Sequence, residues 1–123
     1  MMGKGEAYLL AGQAGLSDSA SRKIAHSKSS NLRLRIAENI DTPIDVLCML
    51  ASDDQSEVRI AALCNETAPD NLLNGVLNDA DPTVRYELAS NPNAKLWVLL
   101  ALSEDENPYV QCRARKTLQR LMH

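Results

Sequence analysis

Residues 84–100 read VRYELASNPNAKLWVLL, and nearly the same line is written twice before it. Residues 58–74, 26 positions upstream, read VRIAALCNETAPDNLLN, and residues 32–48, a further 26 upstream, read LRLRIAENIDTPIDVLC. Leu32, Val58, Val84 and Val110 align, followed by Arg33, Arg59 and Arg85, with Gln111 in the fourth place. Asn39, Asn65 and Asn91 share a column, Leu47, Leu73 and Leu99 another, and Leu50, Val76 and Leu102 a third. Asp53, Asp79 and Asp105 close the unit. A register held through three units is the signature of a repeat architecture, in which every unit meets the same kind of neighbour.

Each unit reads as two short helices. In the first, Thr42 is placed to cap the second helix, Pro43 to occupy its first position and Asp45 to complete a capping box. Val46, Leu47, Leu50 and Ala51 then form one apolar stripe at helical spacing. In the third unit Asp81 caps the first helix, Pro82 starts it, and Val84, Leu88 and Ala89 face inward. Asn91 followed by Pro92 ends it, because Asn tolerates the left-handed conformation and Pro cannot continue a helix.

A single unit cannot bury its stripe, whereas stacked units can. The expected fold is therefore all-α, an α-solenoid with full repeats at 29–54, 55–80 and 81–106. Residues 1–28 match weakly, with Ile24 in the Leu50 column but Ser21 in the Leu47 column, and read as a degenerate N-terminal cap. Residues 107–123 lack a second helix and read as one longer capping helix. Val110, Ala114, Leu118 and Leu121 line one of its faces, and Arg113, Arg115, Lys116 and Arg120 the other.

The pattern V-R, then A-x-N-P-x-x-P, then L-x-x-L and Asp at a 26-residue period resembles the leucine-rich repeat variant family, bacterial relatives of HEAT-like solenoids. The resemblance covers residues 29–106. It implies α-helices alternating with 3₁₀-helices in a right-handed superhelix. Glu66 and Lys95 depart from the family's proline positions, and Gln111 replaces the last arginine. Some family members carry a cysteine-bound iron–sulfur cluster, but this chain lacks the closely spaced cysteines for one. No cofactor is expected.

Composition narrows the class further. The chain has 123 residues, 45% hydrophobic and 24% charged, with one Trp, three Tyr and no Phe, so its core must be built from Leu, Val, Ile and Ala. That suits closely packed helices. No apolar run reaches the ~20 residues that span a bilayer. The segment AYLLAGQAGL is broken by Gly12 and Gln13 and preceded by Glu6, a poor signal peptide, so a cytoplasmic location is expected. Cys48, Cys64 and Cys112 are odd in number and far apart, which argues against a disulfide framework and a zinc site. Residues 29–106 hold 14 acidic and 5 basic residues, a balance of −9, whereas residues 107–123 hold 4 basic and no acidic ones. An acidic centre has the wrong sign for a nucleic-acid groove.

Catalytic signals are weak. The only histidines are His26 and His123, neither spaced from a Ser or Cys as a triad requires. GKGE near the start lacks the spacing and the hydroxyl residue of a phosphate-binding loop. Asp53 and Asp54 sit between helices, where Asp serves as a cap. Cys48 and Cys112 fall in partly apolar columns and read as small core residues. The chain is therefore expected not to be an enzyme.

The Arg, Asn and Asp columns suit turn and ion-pair duties, although a ladder including Arg59 and Arg85 could also grip an anionic partner. Breaks in the period point elsewhere. Trp97 occupies a column otherwise held by Asp45 and Asn71, and Tyr109 one held by Glu57 and Thr83. Both columns read as solvent-facing, and exposed Trp and Tyr dominate interface hot spots. The expected role is a non-catalytic scaffold for another protein, contacted through Trp97, Tyr109, Arg113, Arg59 and Arg85. Nucleic-acid binding by a HEAT-like solenoid and a homo-oligomeric structural role through the Trp97 region are the alternatives.

Overall fold

The structure, a computed structural model, describes residues 3–122, so His123 lies outside the described residues. Among these residues the chain is helical, with no strand: α1 (Lys4–Ala11), α2 (Asp18–Ala25), α3 (Ser30–Glu38), α4 (Ile44–Leu50), α5 (Ser56–Cys64), α6 (Asp70–Leu77), α7 (Pro82–Ala89), α8 (Leu96–Leu102) and α9 (Pro108–Leu121). No helix among the described residues is long and apolar enough to cross a membrane. The chain forms two compact units, Met1–Ala68 and Pro69–His123.

In the first unit α3 is central and packs on α1, α2, α4 and α5. Its core joins Ile24, Ile36, Ala37, Val46, Leu47, Leu50, Val58 and Ala62, all buried. In the second unit Leu73 of α6 is buried, as are Leu88 and Ala89 of α7, Val98, Leu99 and Leu102 of α8, and Val110 and Ala114 of α9. The 26-residue apolar columns supply these inward positions, at helical spacing, in both units.

The polar columns have repeated duties as well. The Arg33 Nη1 donates to the Ser27 carbonyl (2.8 Å), that of Arg59 to Asp53 O (2.9 Å), and that of Arg85 to Asp79 O, each six residues back. The Nε of Arg33 meets Asp53 at 2.8 Å and that of Arg85 meets Asp105 at 2.9 Å, each 20 residues on. Asp53, Asp79 and Asp105 also accept the backbone N–H two residues ahead, so each fixes the turn it sits in. Asn39 and Asn65 do the same with their Oδ1, while their amides donate to Ala11 O and Ala37 O, 28 residues back, both at 2.8 Å. Thr117, which holds the Asn column's place in α9, donates to Ala89 O, again 28 residues back (2.6 Å).

Several local expectations are corrected. Thr42 does not cap α4. It is buried, and its hydroxyl donates to Ile36 O at 2.6 Å, a carbonyl in the last turn of α3 that also accepts the Asn39 N–H, so the capping position falls to Pro43 and the capping box does not form. The second helix of each unit is an α-helix, and no 3₁₀-helix occurs among the described residues. In α4, the Ala51 N–H reaches Leu47 O at 2.9 Å, an i→i−4 bond, and the spacing Val46, Leu47, Leu50 fits the 3.6-residue period. Asn91 does not adopt a left-handed conformation, since no non-glycine residue among the described residues has positive φ; its side chain accepts from the Asn93 N–H instead. Cys48 and Cys112 are exposed and not in the core, because each lies on the outward arc of its helix. Leu121 is also exposed, and Thr117 takes its place on the buried face of α9.

Candidate interaction surfaces

The clearest anomaly is α8, whose sequence LWVLLAL has no polar residue. Val98, Leu99 and Leu102 point inward, while Leu96 is 57%, Trp97 37% and Leu100 51% exposed. With Ala101, these residues sweep one continuous arc at 100° per residue. The matching arc of α6 is Asp70, Asn71, Asn74 and Gly75, and that of α4 is Ile44, Asp45, Cys48 and Met49, all exposed. Packing fixes the inner residues of all three helices and leaves the outer arc free. Only α8 fills that arc with apolar side chains throughout.

A second surface lies in the same unit. A groove of about 400 Å³ runs between α7 and α9, lined by Pro82, Tyr86, Tyr109 and Val110, with Glu87 and Asn107 among its polar members. Tyr86 is 43% and Tyr109 77% exposed. Trp97 does not line this groove. Pro82 and Pro108 each occupy the first position of their helix, and the Asp81 and Asn107 side chains cap α7 and α9. Two like-built N-termini therefore set the tyrosines.

The arginines divide. Arg85 is buried, its guanidinium held by Asp105 and Asp79 O, so it is withdrawn from any partner surface. Arg59 is half-buried and donates to Asp53 O. Arg113 is half-buried, with an enclosed Nε that has no acceptor. Arg115 bonds Ser103 O (3.1 Å) and lies 3.9 Å from Glu104, at the end of α8. Lys116 and Arg120 are exposed and meet no carboxylate among the described residues.

The first unit offers a polar hollow lined by His26, Lys28, Arg33, Asp53 and Asp54. Burial works against the charge of Asp53, but the Arg33 hydrogen bond, the Gln55 N–H and the Arg33 charge together hold its pKa below the usual carboxylate range. A carboxylate so engaged is a poor general base at neutral pH. Burial pushes the Cys64 thiol up to about 11, which keeps it protonated and weakly nucleophilic. Arg35 lies over the Tyr8 ring, 4.7 Å from its centroid, against Gly12 at the C-terminal end of α1, where a cation complements the helix dipole. Among the described residues no group of three or more His, Cys, Asp or Glu side chains could hold a metal ion.

Leu96, Leu100 and Tyr86 escape the sequence reading. Tyr86 shares its column with Leu34, Ile60 and Cys112, which points it inward. Leu96 and Leu100 share theirs with Asp70 and Asn74, a contrast that column comparison could have caught. No family model, curated protein or solved structure matches the chain.

Proposed function

We propose that the chain is a 26-residue helical-repeat protein of the solenoid class that acts as a non-catalytic scaffold for another protein. The like duties of the Arg, Asn and Asp columns support the repeat reading, because a periodic bond is what a periodic neighbour requires. The observation that carries the interaction role is the outward arc of α8. Leu96, Trp97 and Leu100 are exposed on a helix with no polar residue, and an exposed apolar patch of this kind marks a contact surface. Trp97 supplies an anchor of the type that dominates binding energy.

Trp97 is the sole tryptophan, so it reports on its own surroundings. Proteins captured from the native host's lysate are identified, purified and titrated into the chain while tryptophan emission is followed. A partner seated on α8 shifts the emission to shorter wavelength, and the Leu96→Gln, Leu100→Gln double variant loses it with an unchanged melting temperature. A partner bound equally by that variant overturns the assignment to α8. Emission that shifts with the concentration of the chain alone replaces the partner with a second copy.

A further inference from the structure

We propose that the groove between α7 and α9, continued by a basic stripe along α9, is a docking site for an acidic segment of a partner protein, a surface separate from the arc of α8. The groove supplies the apolar part. Tyr86 and Tyr109 stand exposed on its two helices, with Pro82 and Val110 also lining it. The stripe supplies the charge. Tyr109, Arg113, Lys116 and Arg120 are spaced i, i+4, i+7 and i+11, which places them along one face of α9.

No acidic residue occurs in residues 107–123 to offset those cations. Arg115 is the exception that sharpens the pattern: it turns to Ser103 and Glu104 at the end of α8. Arg113, Lys116 and Arg120 form no ion pair among the described residues. A row of unneutralised cations running on from an apolar groove is complementary to a chain with an apolar or aromatic anchor followed by carboxylates.

Charge spacing favours a peptide over a nucleic-acid strand. Glu87 lines the groove. A single strand that stacked its bases on Tyr86 and Tyr109 would carry a phosphate at every nucleotide, including those beside Glu87. A peptide can confine its carboxylates to the stripe and leave only apolar groups in the groove.

The probe is a random dodecapeptide phage library panned on the full chain at low salt. Selected peptides are then titrated by fluorescence polarisation against wild type, Tyr109→Ala and Lys116→Glu, Arg120→Glu. All three altered side chains are exposed, so the variants are expected to fold, and circular dichroism verifies it. The expected result is enrichment of peptides with several carboxylates next to an aromatic or aliphatic residue. Their binding falls about tenfold or more in each variant and weakens on raising salt. Enrichment of neutral or basic peptides, no enrichment, or binding untouched by either variant overturns the proposal. So does oligo(dT) that binds wild type more tightly than the selected peptides, which would make the surface a nucleic-acid site. The Leu96→Gln, Leu100→Gln variant binds the peptides as wild type does, which keeps this surface distinct from α8.

Discussion

Asn65 is 5% exposed, and each polar atom of its side chain has partners. The amide nitrogen donates to Ala37 O at 2.8 Å and Asn39 O at 2.9 Å, and the oxygen accepts from the Thr67 N–H and hydroxyl. Replacing it with Ala takes this donor from Ala37 O and leaves Asn39 O with the Thr42 N–H, at a cost of roughly 2–4 kcal/mol. Asn65→Asp keeps the volume but points a carboxylate oxygen at two carbonyl oxygens, so it is expected to destabilise more than Asn65→Ala at pH 7. Urea unfolding of the two variants orders them, and the reverse order would show that the donated bonds contribute little. The residue type at this column was legible because it recurs, but the carbonyls it donates to were not: both lie more than 25 positions away.

At the scale of the element, α8 separates stability from surface. Leu99 is fully buried, and Leu99→Ala is expected to cost about 2–5 kcal/mol as transfer energy plus cavity. Leu96→Gln and Leu100→Gln, on the outward arc, should each change stability by less than about 1 kcal/mol. Thermal and urea unfolding test both, and a large loss from either glutamine would place that arc in the core. The sequence was most readable where the signal is local. The Asp81 cap and Pro82 start of α7 were legible because an Asp–Pro step decides them within two residues. The start of α4 was not, because the Thr42 hydroxyl turns back to Ile36 O, six residues upstream in α3, and leaves α4 without it. The surfaces divide in the same way. Trp97 stood out against the polar residues of its column, whereas Leu96 and Leu100 did not, because leucine on an apolar helix gives no local sign of which way it faces.

Across the whole chain 16 acidic residues outnumber 13 basic ones, for a net charge of −3, and the acids crowd residues 29–106. Acidification first relieves this repulsion, and the net charge passes zero near pH 5.3. Below that, carboxylates that hold guanidinium groups must take up protons, and the balance turns against the fold. Asp53 contributes to this turn. With its folded pKa held below the ordinary value by Arg33 and the Gln55 N–H, against the opposing effect of burial, it binds fewer protons folded than unfolded. Its contribution is therefore fully present above the unfolded pKa of roughly 4 and is lost as the pH falls through the folded value. Asp45 is also depressed, chiefly by its hydrogen bond from Arg22, but at 64% side-chain exposure water screens that pair. Asp53→Asn keeps an oxygen for the Gln55 N–H while removing the charge opposite Arg33. At pH 7 it is expected to lose roughly 2–4 kcal/mol, because the half-enclosed Arg33 keeps its charge without its main counterion. That gap should begin to narrow below about pH 4, where the unfolded chain takes up a proton that the folded Asp53 still resists, by at most about 1.4 kcal/mol per pH unit. Asp45→Asn should instead melt alongside wild type throughout. Melting curves by circular dichroism, taken at fixed ionic strength over this pH range, decide it: an Asp53→Asn gap that stays constant from pH 7 to pH 3 would mean that the charge of Asp53 is not what ties Arg33 to the fold.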